Sequence, residues 1–122
     1  MNWPLFVYDF PASQAQLAKI KLNQQGQQVA DRFELYINGV EIANGYNELL
    51  DAGELHQRFE QDNQQRQQQA KVEIPLDESL LSAMESGLPE CSGVAIGLDR
   101  LLMIAMGKDE IAQVQTFEFE QS

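Results

Sequence analysis

Only one cysteine, Cys91, and one histidine, His56, occur in 122 residues. A single cysteine excludes an intrachain disulfide and suits a reducing compartment. The lone histidine lies far along the chain from it, so Cys91 reads as structural rather than as an activated nucleophile. No apolar run approaches the ~20 residues that a membrane span needs. The opening MNWPLFVYDF lacks the basic start, apolar stretch and small-residue cleavage site of a signal peptide. A cytoplasmic location without membrane attachment is therefore expected. Basic residues are also scarce, with 8 Lys+Arg against 19 Asp+Glu and a formal charge of -11. Such a chain repels a phosphate backbone, which argues against direct tRNA or DNA binding by it. An acidic pocket suits a metal ion or an amine-bearing ligand, while most of the carboxylates need do no more than aid solubility.

Enough apolar residue is present, 43 %, for residues 1–122 to form one modest domain. PLFVYDF (4–10), bounded by prolines, reads as a strand. PASQAQLAKI (11–20) reads as a turn with a short helical piece, and NQQGQQ (23–28) as a polar loop. RFELYIN and VEIANGY meet at Asn38-Gly39, a strong hairpin signal. A helix is expected from about Leu49 to Gln69, with Leu55 and Phe59 on one face and a polar second half. Asp77 should cap a helix over 78–86, closed by Gly87. SGVAIGL reads as a buried strand, DRLLMIAM as a buried helix ending at Gly107, and VQTFEFE (114–120) as a last strand or extended tail. The sum is an α+β domain, an antiparallel sheet with flanking helices.

A two-residue turn at Asn38-Gly39 pairs Ile37 with Val40, Tyr36 with Glu41 and Glu34 with Ala43. Glu34, Tyr36, Glu41 and Ala43 then share one face, and Phe33, Leu35, Ile37, Val40 and Ile42 form an apolar opposite face. Two carboxylates diagonal across one hairpin lie roughly 7–8 Å apart, close enough to share a cation. A plain solvated face accounts for the same pattern, and the cost of the two like charges in water is too small to decide. A second feature is the charged pair Asp99-Arg100 inside the apolar run SGVAIGLDRLLMI. A buried guanidinium needs a partner. That partner is either a carboxylate such as Asp99 or an anionic ligand at a helix start.

The stretches DRFELYINGVEIANGYNELLD (31–51) and CSGVAIGLDRLLMI (91–104) resemble the C-terminal half of the catalytic domain of class II lysyl-tRNA synthetases. The second is similar to that class's motif 3, a strand–helix unit of the pattern Gly-x-Gly-x-Gly-x-Asp/Glu-Arg. The first is similar to the lysine-pocket hairpin. FVYDFPASQAQLA, RFEQDNQQRQ and ECSGVAIGLDRLLMIAMG resemble more specifically the family of elongation factor P lysylation enzymes. That family has a synthetase-like catalytic domain without an anticodon-binding domain. At the middle glycine of motif 3 stands Ala95, as in that family and unlike most lysyl-tRNA synthetases. Its methyl group is associated with preference for (R)-β-lysine over lysine, although one methyl is worth only ~1–3 kcal/mol.

The resemblance implies ATP and Mg²⁺ as cofactors, and lysine or (R)-β-lysine and elongation factor P as substrates. It makes Arg100 the catalytic arginine that contacts the ATP phosphates. Glu34, Leu35 and Gly97 join it around the nucleotide, and Glu34 and Glu41 serve the metal. Glu41, Asn44, Tyr46, Glu48 and Ala95 line the amino-acid pocket, with Glu48 on the side-chain ammonium and Tyr46 against the aliphatic stem. Strict alternation sends Asn44, Tyr46 and Glu48 to the face opposite Glu41, so a break in pairing around Ala43–Gly45 is expected, with Gly45 as its place.

The implied reaction needs no side-chain nucleophile. The substrate carboxylate attacks the α-phosphate of ATP and releases pyrophosphate; a lysine ε-amine of elongation factor P then takes the acyl group. Motifs 1 and 2 of the class are missing from the sequence. The chain is thus expected to be an excised piece or a truncated product of a homodimeric parent, inactive alone, with an incomplete core and a tendency to self-associate. A fragment of a lysyl-tRNA synthetase proper, or a stand-alone module that binds an amino acid or nucleotide, are the alternatives.

Overall fold

Asn38 and Gly39 turn the chain with φ of +53° and +79°. Both positive values are what a two-residue hairpin turn requires, and asparagine and glycine reach them at low cost. The hairpin arms are β3 (Gln28–Ile37) and β4 (Val40–Asn47), the centre of an antiparallel sheet in a computed structural model that describes residues 3–117. β1 (Leu5–Pro11) lies on the far side of β3, and β5 (Ser92–Ile96) on the far side of β4, giving the order β1-β3-β4-β5. A short β2 (Ile20–Leu22) also pairs with the start of β3. It falls at the end of the segment expected to turn. Strand pairing, not local propensity, makes it extended.

Three helices accompany the sheet: α1 (Ala52–Gln68), α2 (Glu78–Glu85) and α3 (Leu98–Ala105). α1 begins three residues after the expected Leu49, because the Asp51 side chain accepts from the Glu54 N–H and fixes the start there. Asp77 caps α2 in the expected way through the Leu80 N–H, and Gly87, at φ +96°, closes it. Leu49, Leu55, Leu81 and Met84 pack into one small core, with Ala52 and Phe59 against it.

Two expectations need correction. Val114 ends a 3-10 turn (Ile111–Val114) and residues 115–117 are not strand, so a strand does not begin at 114, while Gln115 is extended as a tail would be; residues 118–120 lie outside the described part. Most of the run SGVAIGLDRLLMI is exposed, with Met103 buried. β5 is an edge strand, with Val94 58 % and Ile96 53 % exposed, and Leu98 in α3 is 72 % exposed. Phe6 in β1 is 56 % exposed as well. These residues are apolar and yet exposed, although Phe6 and Phe33 meet there with ring centroids 5.7 Å apart.

Candidate functional site

The face of the sheet opposite that apolar surface carries the polar residues, and one irregularity decides which. Pairing from the turn begins as expected, Ile37 with Val40 and Tyr36 with Glu41. The next pair is Leu35 with Ala43, so Ile42 is an extra residue without a partner on β3. From there Glu34 faces Asn44, not the expected Ala43, and Arg32 faces Tyr46. A bulge of one residue exchanges the faces of everything beyond it. It brings Asn44 and Tyr46 onto the side that already holds Glu34, Tyr36 and Glu41. The break therefore occurs at Ile42, just before the expected stretch. Gly45 serves another purpose. A Cβ there would lie 2.6 Å from Phe33 Cζ, so only glycine lets the phenyl ring approach.

β5 extends the row. Ala95 pairs with Asn44, and Gly93 with Tyr46. Glu34, Asn44 and Ala95 thus stand side by side on three adjacent strands, on one face. Gly93 and Ala95 alternate along β5 and, with Gly97 just beyond it, form a low floor there. Beyond β4, the Glu48 N–H donates to the Cys91 carbonyl at 3.1 Å, and the Glu48 carboxylate lies over Gly93, where a Cβ would collide with Oε1.

Arg100 does not pair with Asp99. Its Nη1 donates to the Glu41 carbonyl at 2.8 Å and lies 3.9 Å from Glu41 Oε2, while Asp99 accepts from Gln115. Its side chain is 48 % exposed, so it is an accessible cation at the start of α3 and not the buried one expected. Glu41 also accepts from Asn44 Nδ2 at 3.3 Å. Gly97 precedes α3 and donates its N–H to the Ile42 carbonyl at 2.8 Å, which ties the helix start to the bulge. Leu35 sits between Glu34 and Tyr36 on β3, half-buried on the apolar side. A hollow of about 470 Å³ beside the hairpin is lined in part by Val7, Phe10, Glu34 and Tyr36, and opens on the same face.

Glu34 is held from two sides, by Arg32 Nη2 and by the Tyr36 hydroxyl, which donates to Oε2 at 2.6 Å. That hydrogen bond, and the charge of the same carboxylate, push the Tyr36 phenol above its ordinary value. Arg32, Gln16 and Gly93 were not singled out from the sequence, and Tyr36 was placed on this face without a role. A basic residue two positions before Glu34 on a strand shares its face, and that spacing was the available signal for Arg32. Gln16, whose Oε1 accepts from the Tyr46 hydroxyl at 2.5 Å, comes from a distant loop and had none.

Among the described residues no three His, Cys, Asp or Glu side chains gather as a metal cluster, and no helix is long and apolar enough to cross a membrane. The family model of class II tRNA synthetases (D, K and N) matches residues 1–121. Similar curated proteins are named "Elongation factor P--(R)-beta-lysine ligase". The one from Vibrio parahaemolyticus is 56 % identical over 95 % of this chain and 35 % of its own length. The one from Proteus mirabilis is 54 % identical over 93 % of this chain and 34 % of its own. The one from Vibrio cholerae is 52 % identical over 98 % and 36 %. The chain spans about a third of the length of these relatives.

Proposed function

The chain belongs to the class II tRNA synthetase family (D, K and N), and from that premise we propose that it forms the ATP- and lysine-binding half of an AMP-forming ligase. The acceptor of that ligase is a lysine of elongation factor P, and its acyl donor is (R)-β-lysine or lysine, after the activity in the names of its relatives. The observation that carries the reading is the row Glu34–Asn44–Ala95 on three strands, with Arg100 pinned to Glu41 at one end of it.

The donor set fits a Mg²⁺–nucleotide. Magnesium is usually held by one or two carboxylates, with water and substrate phosphates completing its shell, and Glu34 and Glu41 are two carboxylates on one face. Bound there, the ion would neutralise phosphate charge. Arg100, exposed at the head of α3, would meet phosphate oxygens with a planar fork of donors. Gly97 and the Leu35 backbone would leave room for the nucleotide's flat portion. Glu48 would take the ammonium of the substrate, with the Tyr46 ring along the aliphatic stem. The Ala95 methyl, next to Asn44, would narrow the pocket and favour the β-amino acid by the ~1–3 kcal/mol of a methylene-sized change.

Calorimetric titration of the chain with Mg·ATP, repeated on Arg100→Ala, tests this. Binding by the wild type that weakens tenfold or more in the variant supports the half-site. Equal affinity in both, or no binding by a chain shown to be folded by circular dichroism, overturns the claim that these residues hold the nucleotide by themselves. Transfer of (R)-β-lysine to elongation factor P by the longer protein that contains this sequence tests the acceptor.

A further inference from the structure

Arg32 is the buried charged side chain among the described residues, 6 % exposed. It is built in from four directions. Its Nη2 pairs with Glu34, and its Nη1 donates to the Gln14 carbonyl at 3.2 Å. Its Cζ lies 4.3 Å from the Phe10 ring centroid, from β1, and 5.4 Å from that of Tyr46, from β4. Both distances are within cation–π reach. The two rings arrive by separate distortions. The β1–β3 register shifts between Tyr8 and Phe10, where Asp9 takes φ +58°, and this turns Phe10 onto the Arg32 face. The bulge at Ile42 turns Tyr46 there from the other strand. Among the described residues, Arg32 Nε is buried and finds no hydrogen-bond partner. An arginine left with an unsatisfied donor, at the meeting point of two register breaks, is poor design for stability alone.

We propose that Arg32 is a positioning residue. It fixes the Glu34 carboxylate on the metal side and the Tyr46 ring on the amino-acid side, so that the two halves of the site keep one geometry. Arg32 itself touches neither ligand. The flat guanidinium is what allows both tasks. Its edge holds a carboxylate while its faces stack on rings, and a lysine ammonium has no such faces. Gln16 steadies the same ring from beyond, through the Tyr46 hydroxyl. For the ligands this inference rests on the function proposed above; for the geometry it does not.

The test uses the full chain carrying Arg32→Lys, which keeps the charge and loses the plane. Heteronuclear NMR reads the aromatic protons of Tyr46 and Phe10, and calorimetry reads Mg·ATP affinity. The expected result is displaced Tyr46 ring resonances together with a tenfold or greater loss of affinity, at unchanged helix and strand content. Tyr46 resonances that stay in place, or wild-type affinity in a variant whose rings have moved, overturn the proposal. If the wild type itself binds no Mg·ATP, the proposed function fails, while the ring readout still decides whether Arg32 orders Tyr46. Should Arg32→Lys not fold, Phe10→Leu keeps every charge and removes one plate of the clamp. It is expected to displace the Tyr46 ring and lower affinity in the same way, and an unmoved ring again overturns the proposal.

Discussion

Replacing Gly93 by alanine should separate binding from stability. A Cβ at Gly93 collides with Glu48 Oε1, lies 3.5 Å from Glu48 Cδ, and meets nothing else within 4 Å. The obstacle is therefore the end of one half-buried, flexible side chain. Rotating Glu48 away costs roughly the 0.5–1.5 kcal/mol of a disfavoured rotamer. Removing a glycine from a strand interior returns roughly 0.5–1 kcal/mol of backbone entropy. The two offset one another, and the variant should unfold within about 1 kcal/mol of the wild type. The proposed ammonium site does not survive, because the carboxylate must leave the position that it occupies over β5. A hydrogen bond to a charged group contributes roughly 1.5–3 kcal/mol. Lysine affinity should accordingly fall ~10- to 150-fold in Gly93→Ala and by a similar factor in Glu48→Gln. Thermal denaturation and calorimetric lysine titration read the two halves. A stability loss above ~2 kcal/mol would mean that Gly93 is needed for packing. Wild-type lysine affinity in Gly93→Ala would refute Glu48 as the anchor.

Gly45→Ala should behave in the opposite way: its Cβ meets the Phe33 ring and lies 3.1 Å from the Gly93 carbonyl, which as sheet backbone does not swing clear. Overpacking of this kind costs about 1–3 kcal/mol, measurable as a lowered urea midpoint, and an unchanged midpoint would contradict the close ring approach. The Tyr36 phenol, raised by its hydrogen bond to Glu34, should ionise above its ordinary value. Because the folded state holds that proton more tightly, the bond's contribution is complete below the unfolded pKa and is lost as pH rises through the folded one. Tyrosinate absorbance, compared with Tyr36→Phe, should show this, and Glu34→Gln should bring the titration back down; no downward movement would count against the contact. Asp31 is held below the usual carboxylate range by Lys21, 2.6 Å away, and by Asn47. Its contribution is present above the unfolded pKa and lost as pH falls through the depressed folded one. Asp31→Asn should cost about 0.5 kcal/mol at neutral pH, the pair being partly exposed and screened. The difference should vanish in strong acid, and a difference that persists there would exclude the ion pair as its cause.

Local chemistry was enough for much of this molecule. Asn38-Gly39 specifies its turn because few other pairs accept two positive φ values, and Asp51, Asp77 and Gly87 mark helix ends because their side chains or backbones satisfy the terminal groups there. The resemblance of 31–51 and 91–104 placed the chain in its family without reference to any contact. Only the tertiary structure could decide the face of Asn44 and Tyr46. The extra residue at Ile42 has no partner on β3; the Gly97 N–H on its carbonyl holds it, and the pairs of Ala43 with Leu35 and with Ile96 fix the register just beyond it. Nothing in residues 40–47 alone fixes where that slip occurs. The apolar run 92–104 misled for a related reason. Apolar composition states which residues would gain from burial, whereas burial itself depends on what packs against them, and here an edge strand and an open sheet face leave Val94, Ile96 and Leu98 exposed. Arg32 stayed hidden because its partners come from β1, β3, β4 and the 3-10 turn Ala12–Gln14, which are neighbours only once the sheet has assembled.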